Sequence, residues 1–142
     1  RFNEEKVRSV GRNSMGVKGI TLKPKDSVVS SEVIKNDNVK ILTVTENGFG
    51  KRTDISKYRL TSRGGKGVTT LKVTEKTGEI VNAFQTENED QIILLSSAGK
   101  ATRLKASDIS LIGRATQGVK LMKVDDETKV VAVAKIAEKE NE

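Results

Sequence analysis

The residues that first suggest chemistry are the glycines and cations of the segment SRGGKGV, at positions 62–68. A phosphate-binding Walker loop needs the pattern G-x-x-x-x-G-K-[ST], because backbone N–H groups surround the phosphates and the hydroxyl binds magnesium. Here Gly67 is followed by Val68, so the pattern is missing. The dinucleotide fingerprint also fails, since no strand–turn–helix context surrounds these glycines. The segment is therefore not predicted to bind a mononucleotide.

The composition removes most kinds of catalytic site. The 142 residues include no His and no Cys, which excludes disulfides, thiolate metal sites and His-dependent triads. No cluster of carboxylates stands out at a useful spacing. Trp is absent and aromatic residues make up 3% of the chain, which disfavours base-stacking platforms for single strands. No apolar run approaches the roughly 20 residues of a transmembrane helix, so we expect no membrane partner.

The elements that position these residues follow a repeat of 51 residues. The segments GRNSMGVKGITL (11–22), SRGGKGVTTLKV (62–73) and GRATQGVKLMKV (113–124) align without a gap. Equivalent positions include Arg12, Arg63 and Arg114; Gly16, Gly67 and Gly118; and, upstream, Arg1, Arg52 and Arg103. A period of this length indicates an architecture in which each unit is one supersecondary element.

Each unit is predicted to hold four short strands and no helix longer than a turn. The first strand covers 40–45 or 91–96, and the second covers 50–55 or 100–105. The third follows the Arg–Gly loop, where apolar residues alternate as at Leu71 and Val73. The fourth covers 79–84 or 129–134. Four strands with a period near 50 are typical of a propeller blade, so the predicted fold is all-β and propeller-like.

The repeat also gives the expected domain organisation. Residues 1–34 form a partial blade, 35–85 and 86–136 form two full blades, and 137–142 form a charged tail. All belong to one domain. About three blades cannot close a ring that typically has four to eight. We therefore expect the chain to be the C-terminal part of a larger protein.

Positive charge follows the same repeat. The chain has a formal net charge of +7, which points to a polyanionic partner. The bands 1–21, 51–72 and 102–123 hold 17 basic and 4 acidic residues, whereas the rest holds 9 basic and 15 acidic residues. In a propeller these bands form a basic arc suited to a bent duplex. Ordinary solvated surface is the alternative interpretation.

The residues predicted to bind DNA are cations in these bands. They are Arg12, Lys18, Lys51, Arg52, Arg63, Lys66, Arg103, Arg114 and Lys120. The recurring arginines have a second interpretation, since an Arg can also clamp backbone carbonyls between blades. The glycines predicted to shape the loops are Gly16, Gly64, Gly65, Gly67 and Gly118. Of these, the recurring three are expected to need positive φ or a close approach.

Two longer segments resemble a known family. ILTVTENGFGKRTDISKYRLTSRGGKGV and ISLIGRATQGVKLMKV resemble the C-terminal domain of the DNA gyrase A subunit, and somewhat less that of topoisomerase IV. The resemblance implies a six-bladed β-pinwheel, a propeller relative with strand exchange between blades, of which about three blades are present. Such a domain wraps duplex DNA around a basic rim, and the wrapping supports ATP-driven negative supercoiling.

The resemblance also implies the partners and the setting. The partners would be duplex DNA, the remaining blades and catalytic core of the parent polypeptide, and the ATPase subunit, in the cytoplasm and associated with the chromosome. ATP and magnesium would act elsewhere in the parent, so no cofactor, metal or catalytic residue is expected in this chain. Tyr58 occupies an ordinary strand position, equivalent to Val7 and Ile109, and is no candidate for the strand-cleaving tyrosine.

The family's hallmark box, Q-[RK]-R-G-G-[RK]-G, is present in part. Residues 63–67 match its last five positions, while Thr61 and Ser62 stand where Gln and a cation belong. This degenerate form is expected in a later blade and leaves gyrase and topoisomerase IV both open. The competing function is that of a protein-interaction propeller without DNA binding. Kelch and WD propellers of that kind usually carry recurring aromatic signatures, which are missing here.

Overall fold

The β-branched and aliphatic runs of the sequence form strands where a glycine turn follows them. In the computed structural model, which describes residues 1–136, the strands are β1 (Lys40–Thr45), β2 (Phe49–Asp54), β3 (Ile80–Thr86), β4 (Gln91–Ser96), β5 (Ala101–Lys105), β6 (Val119–Lys120) and β7 (Val130–Ile136). The 3-10 turns are Glu4–Lys6, Ile55–Lys57 and Ala106–Asp108. The all-β prediction is confirmed. The predicted tail at 137–142 lies outside the described residues.

The strands form two antiparallel sheets. One has four strands in the order β3-β1-β2-β6, and the other has three in the order β5-β4-β7. The three long strands of each sheet repeat the same arrangement, down to a register shift between Val44 and Thr45 in one sheet and between Leu95 and Ser96 in the other. These positions are 51 residues apart, so the sequence repeat is also a structural repeat.

The prediction of a third strand is wrong for the first two units of the repeat. Residues 68–73 form no strand. The backbone N–H of Lys72 instead donates to the carbonyl of Thr116 in the next unit at 2.9 Å. Within 1–34 the only regular element is the 3-10 turn. In the last unit the third strand shortens to β6, which spans two residues.

That short strand completes the sheet of the preceding unit. Phe49 pairs with Lys120, and Gly50 pairs with Val119. The four-stranded sheet therefore crosses the 85/86 boundary of the repeat, and residues 35–85 do not make a four-stranded blade by themselves. This is the strand exchange that the family resemblance implies.

The core lies between the two sheets. Leu42, Val44, Ile92, Leu94 and Met122 are almost completely buried and belong to one apolar cluster. Burying a Leu or Ile side chain contributes about 1.5–3 kcal/mol to folding, so the central strands β1 and β4 hold the two units together. Among residues 1–136, no helix is long and apolar enough to cross a bilayer.

Candidate nucleic-acid interface

Three glycine-containing loops carry the recurring arginines: loop 1 (residues 11–16), loop 2 (62–67) and loop 3 (113–118). Their last residues, Gly16, Gly67 and Gly118, have φ of +76°, +77° and +79°. Residues other than glycine rarely adopt this region of backbone conformation. At Gly118 a Cβ atom would also lie 2.6 Å from the carbonyl oxygen of Gly50. The structure thus gives these glycines the conformation that the repeat predicts.

The two central glycines of loop 2 differ from each other. Gly64 has φ of +81°, so it belongs with the shaping glycines. Gly65 does not have positive φ, and a Cβ there would meet only ordinary contact, with the carbonyl oxygen of Ser62 at 3.8 Å. The prediction that Gly65 shapes the loop is therefore wrong, because neither φ nor space demands glycine there.

The arginines of loops 2 and 3 fasten each loop to the unit before it. Nη1 of Arg63 donates to the carbonyl of Lys18 at 2.5 Å, and Nη1 of Arg114 donates to the carbonyl of Thr69 at 2.8 Å. Both contacts span 45 residues and are related by the 51-residue repeat. Arg63 makes a second bond, from Nε to the carbonyl of Lys6 at 2.9 Å. Both side chains are half-buried and act as inter-unit clamps.

Backbone contacts reinforce the same arrangement. The N–H of Thr21 donates to the carbonyl of Gly65 at 2.8 Å, just as Lys72 donates to Thr116 one repeat later. The N–H of Gly64 also donates to the carbonyl of Gly19 at 2.9 Å. Loops 2 and 3 therefore pack against the segments that follow loops 1 and 2. These contacts link the three loops in series, and we call this series the line of loops.

Arg52 is predicted to bind DNA, but its side chain is buried. Only 5% of the residue is exposed. Its Nε donates to the carbonyl of Ile109 at 3.0 Å, and its Nη1 donates to Oδ1 of Asn88 at 2.8 Å. Arg1, one repeat earlier, makes the equivalent contact with Oδ1 of Asp37 at 3.4 Å. The prediction of a phosphate contact is corrected, because the guanidinium is used to join β2 to the next unit.

Lys51 requires the same correction. It is completely buried, and its Nζ donates to the carbonyls of Gly113 at 2.6 Å and of Arg114, and to Oγ1 of Thr116 at 2.9 Å. The ammonium group thus anchors loop 3 from inside and is not available to a phosphate. Burial, and then the positive charge of Arg114, lowers the pKa of Lys51 to about 8.

The other predicted cations lie on the surface. Arg12, Lys18, Lys66, Arg103 and Lys120 are all exposed. Arg103 donates from Nε to Oε1 of Gln91 at 3.3 Å, a neutral partner. None of the ion pairs found among residues 1–136 involves these five side chains. Their charge is therefore open to an anion from solvent.

Further exposed cations that are not among the predicted DNA-binding residues lie in the same bands. They are Lys6, Arg8, Lys57, Arg59, Lys72 and Lys123. None forms an ion pair in the described part of the chain. The pairs Lys6/Lys57, Arg8/Arg59 and Lys72/Lys123 are each 51 residues apart. Recurrence at one repeat phase is the signal that could have identified them.

Tyr58 and the carboxylates are further groups among residues 1–136 that could take part in chemistry. The hydroxyl of Tyr58 contacts Oγ1 of Thr70 at 2.5 Å in a half-buried position. Over residues 1–136, no three His, Cys, Asp or Glu side chains come together in a way that could hold a metal ion. The arrangement can attract and orient a polyanion through charge and hydrogen bonding.

Comparison with known sequences gives the same picture of three repeats. The family model described as DNA gyrase C-terminal domain, beta-propeller, matches residues 1–35, 40–87 and 90–137. The DNA gyrase A subunit of Staphylococcus epidermidis is 45% identical over 142 residues, which are 99% of this chain and 16% of that protein. Its Staphylococcus aureus counterpart is 44% identical over 146 residues, covering 100% and 16%. The chain thus spans about a sixth of the length of these relatives.

Solved structures are similar over nearly the whole chain. A DNA gyrase A C-terminal domain superposes with a TM-score of 0.87 at 34% identity, covering 96% of this chain and 46% of that one. The C-terminal domain of a DNA topoisomerase IV gives a TM-score of 0.89 at 26% identity, covering 95% and 42%. Sequence identity is higher to the gyrase domain. With the family model matched in three consecutive repeats, this chain belongs to the DNA gyrase C-terminal domain family of beta-propellers.

Proposed function

We propose that this chain binds duplex DNA without sequence specificity and bends it along the line formed by loops 1, 2 and 3. In this role it is the wrapping module of a gyrase A polypeptide in an ATP-dependent type II topoisomerase. Its partners are duplex DNA, the rest of that polypeptide and the ATPase subunit, at the bacterial chromosome in the cytoplasm. Wrapping supports negative supercoiling, and strand cleavage and ATP hydrolysis belong to other parts of the enzyme.

The observation that carries this proposal is the repeated contact between neighbouring loops. Arg63 binds the carbonyl of Lys18, and Arg114 binds the carbonyl of Thr69, at the same repeat phase. These clamps fix the spacing between units. The exposed cations Lys18 and Lys120 hold the same repeat phase, and Lys66 lies within loop 2 between them. A phosphate backbone that follows the same line meets a cation at each unit, and the rigid spacing lowers the entropy cost of binding.

The charge distribution favours phosphate contacts over base readout. The exposed cations belong to loops and short edges, and no helix of the described residues is longer than a three-residue turn. Contacts of Lys and Arg to phosphate set the position of a protein on DNA but carry little sequence information. Binding should therefore depend strongly on salt and weakly on sequence.

A salt titration tests the proposal. Affinity for duplexes of scrambled sequence should be similar, and log K should fall by roughly 0.9 per neutralised phosphate for each tenfold rise in salt. A salt slope that corresponds to several neutralised phosphates supports DNA wrapping. No measurable duplex binding at low salt would instead favour the alternative role as a protein-interaction propeller.

A further inference from the structure

Lys120, which follows loop 3, and two lysines outside the basic bands converge on the turn between β1 and β2. Nζ of Lys120 lies 4.4 Å from the ring centroid of Phe49, and Nζ of Lys76 lies 5.5 Å from the same centroid. Nζ of Lys129 donates to Oδ1 of Asn47 at 2.5 Å. Two of the three, Lys76 and Lys129, belong to the segments of the repeat that are rich in acidic residues.

Asn47 ties the three lysine-bearing segments together. Its backbone carbonyl accepts from Nζ of Lys120 at 3.3 Å, and its side-chain Oδ1 accepts from Nζ of Lys129. Its Nδ2 donates to the carbonyls of Glu75 and Lys76 at 3.1 and 3.2 Å. The side-chain amide of Asn47 therefore joins the segment 75–76 to Lys129, and its backbone carbonyl holds Lys120 of β6 beside them.

Several carboxylates of residues 1–136 lie near this cluster without forming an ion pair with its lysines. Oε1 of Glu46 accepts the backbone N–H of Glu79 at 3.2 Å. Asp125, Asp126 and Glu127 lie in an exposed turn upstream of Lys129. Among the ion pairs found in residues 1–136, none includes Lys76, Lys120 or Lys129. Lys76 and Lys120 share the Phe49 ring, and Lys120 and Lys129 share Asn47, so an anion beside these residues is attracted by more than one ammonium group.

The cluster lies beside the line of loops. Loop 3 leads directly into β6, the edge strand on which Lys120 pairs with Phe49. The aromatic face and the Asn47 oxygens hold the ammonium groups near fixed positions, which suits phosphate, an anion with several acceptor oxygens. The cluster does not recur, since Ala98 and Lys100 stand at the positions equivalent to Asn47 and Phe49.

We propose that Lys76, Lys120 and Lys129, held around Asn47 and Phe49, form a second phosphate site that binds the duplex beside loop 3. This inference rests on the proposed DNA binding and adds a contact that is specific to the junction of the second and third units. It also assigns a binding role to Lys76 and Lys129, which lie outside the basic bands.

Chemical footprinting of the unaltered chain tests this site. Lysine acetylation, read by mass spectrometry, is compared with and without a mixed-sequence duplex. Lys76 and Lys129 should be protected together with Lys18 and Lys66, while Lys35 stays reactive because it lies at the opposite edge of the sheet, near Gln85 of β3. Inorganic phosphate at an equal phosphate concentration should give no protection. Equal protection by inorganic phosphate would contradict binding of the duplex and indicate a free-anion site.

A charge-neutralised variant gives a second measurement. Lys76→Gln combined with Lys129→Gln should lower the salt slope of duplex binding by about 1 to 2, whereas Lys35→Gln should leave it at the wild-type value. If Lys18 and Lys66 are protected but Lys76 and Lys129 are not, and the double variant keeps the wild-type slope, the second site is wrong while the proposed function stands. If the duplex protects none of these lysines, both proposals fail.

Discussion

Nη1 of Arg114 donates to the carbonyl oxygen of Thr69 at 2.8 Å, and this bond joins loop 3 to the unit before it. The same bond, from Arg63 to Lys18, occurs one repeat earlier. The arginine that recurs in the sequence is thus used first for the assembly of the units. Any contribution that it makes to DNA binding depends on a side chain that already holds a protein partner.

Replacing Arg114 by Gln should therefore destabilise the fold. Hydrogen bonds from charged donors contribute about 1.5–3 kcal/mol, and half-exposure of the side chain places the expected loss of unfolding free energy near the lower end. Urea denaturation measures this change. Arg12→Gln is the matched control, because Arg12 has the same repeat phase but is exposed; its unfolding free energy should stay within about 0.5 kcal/mol of wild type. Equal stability of the two variants would contradict the clamp.

Gly118 and Gly65 should respond very differently to alanine. Gly118→Ala places a methyl group 2.6 Å from the carbonyl oxygen of Gly50 in a residue with φ of +79°. The backbone cost alone is of order 1–3 kcal/mol, and β6 must also move off β2. Gly65→Ala meets no such contact, so its melting temperature should remain near the wild-type value. Thermal denaturation followed by circular dichroism compares the two, and a Gly118→Ala variant as stable as Gly65→Ala would disprove the close packing of β6.

The parts of the fold that the sequence predicts are those set by local pattern. β1 and β4 are β-branched and aliphatic runs followed by glycine turns, and both form where the pattern places them. Alternation at Leu71 and Val73 predicts a third strand, but its backbone binds the next unit's loop, a contact that alternation does not report. The exchange of β6 onto β2 likewise depends on residues that lie about 70 positions apart.

Whether an individual cation is buried or exposed could not be predicted from its position in the sequence. Lys51 and Lys66 both lie in a basic band, yet one is buried and the other is exposed. The difference arises from four carbonyl and hydroxyl oxygens of loop 3, more than 60 residues away from Lys51 in sequence. A lysine in a basic band is compatible with either role, and only the packing between units separates them.

The burial of Lys51 makes the free energy of unfolding depend on pH in the alkaline range. Its pKa of about 8 in the folded chain is below the ordinary value of about 10.4. Between these values the unfolded chain holds the proton more tightly, so raising the pH across this window stabilises the folded state. The unfolding free energy of wild type should therefore rise relative to that of Lys51→Met by an amount of order 1–3 kcal/mol between pH 8 and 10.5. Paired urea titrations measure it.

Subtracting the variant removes the titration of all other groups, since both proteins share them. If the difference in unfolding free energy between wild type and Lys51→Met stays constant from pH 8 to 10.5, the loop 3 carbonyls stabilise the charged ammonium group as much as water does. If this difference decreases with pH, the carbonyls stabilise the charged form more than water does, and the pKa of Lys51 in the folded chain is then raised by its partners.

Lys66→Gln should separate DNA affinity from stability. Lys66 is exposed in loop 2 and forms no ion pair among residues 1–136, so its loss should leave the melting temperature unchanged. If it contacts one phosphate, the salt slope of duplex binding should fall by about 0.9. Fluorescence anisotropy across a salt series provides the slope. A variant that unfolds would contradict the placement of Lys66 on the solvated surface, and an unchanged slope would remove Lys66 from the interface.

The line of exposed lysines predicts a selective defect in the full-length enzyme. In a gyrase A polypeptide containing this sequence, Lys18, Lys66 and Lys120 are replaced together by Gln. Because these residues are exposed and one lies in or next to each loop, the triple variant should keep its fold while wrapping less DNA. Negative supercoiling with ATP should then fall at least several-fold, whereas strand cleavage should persist, since the proposal gives this chain no part in cleavage.

The control is a second triple variant, in which Lys23, Lys35 and Lys100 are replaced by Gln. These lysines are also exposed but lie outside the basic bands, so this variant should supercoil like wild type. Topology gels on relaxed plasmid measure supercoiling, and denaturing gels measure cleavage. Equal loss of supercoiling in both triple variants would mean that total charge matters rather than the line of loops, and loss of cleavage in the first variant would mean that this segment contributes to the active site.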